Sequence, residues 1–300
     1  VLRAELLASS PRSFPTVDFG LSCEKRGKKK RIRKIINMQC IFCGQENAAV
    51  SIEHIVSESF GNKEYVAKKG SVCDKCNNSF SKFEGVALSN SIFVMERPRL
   101  GVSTKKGKNT KGKIDKLEIE GHEDFKRNHI SAKGINDENF TEFDPATQTG
   151  KLFVKAFDKG EVACSKLLLK MALSSIYTSQ RKLYKKYNFS ELTAFLTNEN
   201  QRDWPFLTSS YKNGEFKSIP RFNDKYELKR LPCTLQYFEV DKDTLLFRFT
   251  YSAITMIINV LNRNLDWIKE YLSKDSLAIL YPDHYQRKIG GINTYAEREE

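Results

Sequence analysis

Residues 38–44 read MQCIFCG and residues 73–85 read CDKCNNSFSKFEG, which sets two Cys-x2-Cys pairs 29 residues apart. Four thiolates from two such pairs can close on one Zn²⁺ at about 2.3 Å each, and a site with four cysteine ligands keeps no open position for chemistry. The pattern predicts a structural zinc held by Cys40, Cys43, Cys73 and Cys76, with any reactive group elsewhere. Seven cysteines in 300 residues are too few and too unevenly placed for a disulfide scaffold. Cys23, Cys164 and Cys233 fall outside the pairs and are expected to be free thiols.

Between the pairs, residues 51–62 read SIEHIVSESFGN, with Glu53 beside His54, and Asn77 follows the last cysteine directly. An imidazole titrates near neutrality and suits a general base. A carboxylate and an amide oxygen are hard donors for Mg²⁺ or a similar ion. Neighbouring residues of a regular strand face opposite sides, so a strand carrying Glu53 and His54 to one site has to bend or end there.

This combination resembles the HNH endonuclease family, in which a ββα-metal fold carries an acidic-His pair on a strand and a metal-binding Asn or His on the following helix. The resemblance spans roughly residues 38–85. It implies hydrolysis of DNA phosphodiester bonds with a single divalent metal, leaving 5′-phosphate and 3′-hydroxyl ends. His54 would be the general base, Glu53 and Asn77 would hold the catalytic Mg²⁺ or other divalent metal, and Asn78 is the alternative to Asn77. Ser57 stands where a proline commonly follows the pair, and Gly61-Asn62 replaces the usual paired glycines. The central Asn of the family has no clear counterpart ahead of Cys73, Asn62 being a weak candidate. By association the resemblance also suggests restriction or phage defence, with a defence-system partner. DNA is the expected partner, with RNA left open, and a double-strand break would require a homodimer or two encounters. The rival expectation is a zinc-ribbon nucleic-acid-binding protein without catalysis.

The net charge of +13 fits a polyanionic partner. Residues 1–37 hold ten Lys or Arg against three acids, so +7 of that charge is in this leader and +6 remains for residues 38–300. The leader reads as a weakly ordered, solvated arm with a phosphate-binding tail as its functional alternative. Val1 is not Met, and Met38 just ahead of the first pair is a candidate start. Lys105, Lys106, Lys108, Lys111 and Lys113 alternate with turn residues and are candidates for nucleic-acid contact, as is Lys82 beyond the second pair.

The expected organisation is the leader 1–37, a nuclease-like module 38–90, a basic strand-rich connection 91–155 and an α+β domain 156–300. The fold class is α+β, a small zinc-stabilised module followed by a larger mixed domain. Residues 161–177 carry apolar side chains around most of a helix and predict a buried one. Asn188 with Glu191 three residues on predicts a capping box for a second helix, and Asn264 an N-cap for a short helix through Leu272. Residues 245–251 alternate as a half-buried strand that pairs with residues 234–240 across Asp241-Lys242-Asp243. Trp204, Phe206 and Tyr211 read as packing residues, and His122, His129 and His284 lack partners at readable spacing. The apolar stretch 253–261 is too short for a membrane span, and no signal-like run opens the chain, so no membrane partner and a cytoplasmic or nuclear setting are expected.

Overall fold

A computed structural model of the chain describes residues 38–47, 49, 51–134, 140–144, 146, 149–152, 155–198, 203–212, 214–220 and 233–288. The leader, with Cys23, lies outside the described residues. The class is the expected one: the described residues form seven α-helices and antiparallel sheet, with the cysteine-rich module first. Among the described residues, no helix is long and apolar enough to cross a membrane.

The module begins with β1 (Met38–Gln39) and β2 (Glu46–Asn47), paired antiparallel on either side of the first cysteine knuckle. Gly44 closes that knuckle at φ +69, in the left-handed region that glycine adopts without a Cβ clash. A second hairpin follows, in which His54 bridges Val66, Ile55 N–H donates to Tyr65 O at 3.0 Å and Ala67 N–H to Glu53 O at 2.8 Å. Helix α1 (Asp74–Leu88) starts at Cys73, whose Sγ accepts the N–H of Cys76 and caps the first turn. Helix α2 (Ser91–Arg99) turns away at Asn90, a buried residue whose amide donates to Ala87 O and accepts from Lys159 N–H.

Strands β3 (Lys111–Ile114), β4 (Leu117–Gly121) and β5 (Ile130–Lys133) form an antiparallel sheet, with Ile114, Leu117 and Ile119 packed against Val94 of α2. Strands β6 (Phe140–Asp144) and β7 (Thr149–Leu152) make a separate hairpin. Helix α3 (Glu161–Ser179) follows and is buried on nearly every side, as its sequence predicts. It leads into α4 (Arg181–Lys186) and α5 (Ser190–Thr197).

The remainder is a six-stranded antiparallel sheet. Its strands are β8 (Phe206–Thr208), β9 (Lys217–Ser218), β10 (Cys233–Glu239), β11 (Leu245–Tyr251), β12 (Ile254–Asn259) and β13 (Ile279–Tyr281), in the order β13-β8-β12-β11-β10-β9. Helix α6 (Ile268–Lys274) comes before β13 and α7 (His284–Lys288) after it. The expected pairing of β10 with β11 is present, with Leu235 opposite Phe249. Strand β11 is covered on both faces, not one: Leu245, Phe247, Phe249 and Tyr251 join the core shared with α3, while Leu246 joins Trp267, Ile268 and Tyr271 on the other side. Arg248 is accommodated there by lying over the Phe216 ring at 4.0 Å and donating to Gln236 at 2.9 Å.

Two helix starts differ from expectation. The Asn188 side chain accepts the Ser190 N–H at 2.9 Å, but Glu191 reaches Arg263 instead of turning back to close a capping box. A charged long-range partner outweighs a local cap. Asn264 accepts the Asp266 N–H and its carbonyl takes the Trp267 indole N–H, so α6 begins only at Ile268. Trp204 and Phe206 are fully buried, as packing residues should be.

Candidate metal centre and nuclease site

The four paired cysteines converge, with all their Sγ atoms within 4.8 Å of one another and Cys43 Sγ 3.8 Å from Cys73 Sγ. A tetrahedron with metal–sulfur bonds of about 2.3 Å has edges of about 3.8 Å. The donor set and its spacing fit zinc. Backbone N–H groups already point at the sulfurs, Cys73 N–H at Cys40 Sγ and Cys76 N–H at Cys73 Sγ, each at 3.4 Å. The hydrogen bond from Cys76 holds the Cys40 thiol down at about 4, while the same sharing with Cys40, together with burial, drives Cys76 far above its ordinary value. Four thiols this close cannot all ionise alone, and a bound dication supplies the missing charge. Cys164 and Cys233 are buried outside the pairs, and burial pushes the Cys164 thiol up.

The Phe42 ring meets Phe80 edge-on at 4.7 Å, and Phe80 lies 5.3 Å from Phe83. This fixes the knuckle on α1 and so sets where Asn77 stands. Asn77 donates its amide N–H to Ser51 Oγ at 3.3 Å, and Ser51 Oγ in turn donates to Asp74 Oδ1. The first turn of α1 is thus tied two residues ahead of Glu53, and among the described residues the Asn77 carbonyl oxygen makes no hydrogen bond. Asn78 and Lys82 are exposed on the same helix.

Glu53 and His54 have different surroundings, as neighbours on a strand do. Glu53 is 7% exposed, and one of its carboxylate oxygens meets the ammonium of Lys170 from α3. Burial pushes its carboxyl above the ordinary range, and the Lys170 charge offsets part of that. His54 is half-buried: its Nε2 lies 3.4 Å from Glu58 Oε1, and its Nδ1 is buried with no hydrogen-bond partner among the described residues. Burial holds the imidazole below its ordinary value, against the pull of Glu58. Neither residue hydrogen-bonds Asn77.

Asn62 is fully buried, and its side chain organises the loop after His54. It donates to Val56 O at 2.6 Å and Tyr65 O at 3.3 Å and accepts from Glu64 N–H at 3.0 Å and Tyr65 N–H at 2.9 Å. The residue with the weakest signal in the sequence is the clamp of the hairpin. Replacing Asn62 with alanine strands these partners in the interior, at roughly 1 kcal/mol or more each. Denaturant unfolding of that variant should show a loss of about 2–4 kcal/mol, and a loss under 1 kcal/mol would mean that the loop holds itself.

The lysine-rich stretch turns back on itself, with Ser103 bridged to Asn109. Three of its lysines have acidic partners: Lys105 with Glu58 at 3.2 Å, Lys111 with Glu120 at 2.6 Å and Lys113 with Glu118 at 2.5 Å. Lys106 and Lys108 are exposed with no ion pair among the described residues. Because Glu58 contacts both Lys105 and His54, the hairpin reaches the edge of the histidine site. The other histidines do have spatial neighbours that spacing hides: the His122 and His129 rings meet edge-on at 5.8 Å, and His284 lies 3.4 Å from Asp203. Lys170, Glu84, Glu58 and Ser51 escaped the sequence reading, and only Lys170 left a signal, as a charge inside LLLKMAL.

A four-cysteine knuckle frames a Glu-His hairpin and a helix with an amide at its first turn, a small module whose cysteines could hold a metal ion. Residues 40–92 match the family model for HNH endonuclease, so the chain carries an HNH module, with residues 93–300 outside the match. No curated protein and no solved structure matches the chain.

Proposed function

We propose that the chain is a metal-dependent HNH endonuclease that hydrolyses phosphodiester bonds, with DNA as its first substrate and a structural zinc in the four-cysteine knuckle. The observation that carries this reading is the half-buried imidazole of His54, kept neutral by burial, at the edge of a zinc-framed hairpin that a lysine loop reaches. A neutral imidazole takes the proton of the attacking water as its oxygen adds to phosphorus. Glu58 is placed to stabilise the imidazolium that results. The remaining oxygen of Glu53 and the carbonyl oxygen of Asn77 would hold Mg²⁺ or another divalent metal, since both are hard donors with no hydrogen bond among the described residues. When bound, that ion neutralises charge on the phosphate and the leaving 3′ oxygen.

Lys106 and Lys108 are the side chains of the hairpin best placed to meet phosphates. Each phosphate contact adds roughly 0.9 to the slope of log affinity against log salt. A Lys106→Ala/Lys108→Ala double variant should bind duplex DNA more weakly with a slope shallower by about 2. An unchanged slope would remove the loop from the interface.

One observation favours a second reading, a zinc-ribbon nucleic-acid-binding protein without catalysis: Glu53 already has an ammonium partner. Supercoiled-plasmid nicking by the zinc-loaded full chain decides between them. Nicking with Mg²⁺ that EDTA abolishes supports the nuclease. Binding without cutting under any divalent metal, on DNA and on RNA, supports the binding protein. A place in restriction or phage defence follows from the family alone and needs a cellular test.

A further inference from the structure

Residues 167–173 of α3 read LLLKMAL, and all seven are buried, Lys170 at 0% exposure. A lysine in such surroundings is stable only when its charge and its donors are matched. An ammonium has three N–H donors, and Lys170 places them on Glu53 Oε1, on Glu84 Oε1 at 2.7 Å and on the backbone carbonyl of His54 at 2.6 Å. Two carboxylates within reach match its charge, and the carbonyl takes the third donor. All three acceptors belong to the HNH module, whereas Lys170 lies outside residues 40–92.

We propose that Lys170 is a positioning residue of the nuclease site: its ammonium holds the Glu53 carboxylate and the His54 carbonyl together, so that α3 completes the site. The proposal rests on the nuclease reading. Pinning one oxygen of Glu53 fixes where the other points, and pinning the His54 carbonyl fixes the peptide plane from which the imidazole projects. Outer partners of metal-binding groups typically matter 10–100-fold in metal affinity or activity. A counterion with a merely structural role would change the fraction folded and leave the folded enzyme's parameters alone.

The test uses the full zinc-loaded chain and three variants, Lys170→Met, Lys170→Arg and Glu84→Gln. Plasmid nicking gives kcat and KM, and calorimetric titration with Mn²⁺ alone gives metal affinity without activity. Lys170→Met is expected to keep its zinc and its KM for plasmid, to lose about 10–100-fold in kcat, and to bind Mn²⁺ more weakly by a similar factor. Lys170→Arg, which keeps the charge and more than one donor, should recover part of both. Glu84→Gln loosens the cluster from its more exposed side, and should show a smaller loss in the same direction even where Lys170→Met does not fold. Wild-type kcat and Mn²⁺ affinity in folded Lys170→Met, or in Glu84→Gln if the former is unfolded, would overturn the proposal. If the wild type does not nick at all, the nuclease reading fails on its own, and the Mn²⁺ titration still decides on Lys170. Weakened binding in the variants then leaves Lys170 as a positioning residue of a metal site without nuclease activity, and equal binding, or none in the wild type, removes the role.

Discussion

Zinc-loaded His54→Ala is expected to nick supercoiled plasmid about 10²–10⁴-fold more slowly than the wild type, the usual contribution of a positioned general base. The variant should fold, because His54 is half-buried and pairs with Glu58 at the edge of the site, while the hairpin is held by the backbone of residues 53–67 and by Asn62. Zinc content and DNA affinity should stay at wild-type levels, which separates a chemical defect from a structural one. A folded, zinc-loaded His54→Ala protein that nicks normally would remove His54 from the reaction. The neighbouring Glu58 would then be the first residue to examine as the base, since it shares the same edge of the site and touches Lys105.

Loss of zinc is expected to have the largest effect on stability. Structural zinc in small cysteine sites is worth on the order of 10 kcal/mol in folding, comparable with the entire stability of a typical domain. Here the knuckle is also the N-cap of α1 and the seat of Phe42 against Phe80. Cys76→Ser, measured by zinc stoichiometry and thermal unfolding, should therefore lose the metal, melt far below the wild type, and fail to nick with Mg²⁺ present. A zinc-free protein with the wild-type transition would show that packing alone holds the knuckle.

What could be read from the sequence was local. Two cysteine pairs and a Glu-His dipeptide carry their meaning in spacing, and the four-cysteine cluster and the buried helix α3 followed directly. The β10–β11 hairpin was equally legible, because turn residues and alternation lie side by side. What stayed hidden depended on partners distant in the chain. Glu191 was expected to cap its own helix but is drawn to Arg263. The alternation in β11 suggested one wet face, yet Trp267 and the α6 residues Ile268 and Tyr271 cover it. Lys170 meets Glu53 and Glu84 across 117 and 86 positions, a relation that no periodicity encodes. Asn62 read as a weak candidate because its four bonds are to backbone, which any sequence supplies.

Phe60, in the loop just after His54, has its ring 5.0 Å from Phe93, 5.4 Å from Phe249 and 4.6 Å from Tyr251. The last two belong to the six-stranded sheet, so the loop after His54 shares its floor with residues almost 200 positions further along the chain. Such a module cannot be cut out as a portable cassette. Fused alone to a foreign targeting domain it would present a bare aromatic face, and a chimaera that works would have to carry the sheet with it.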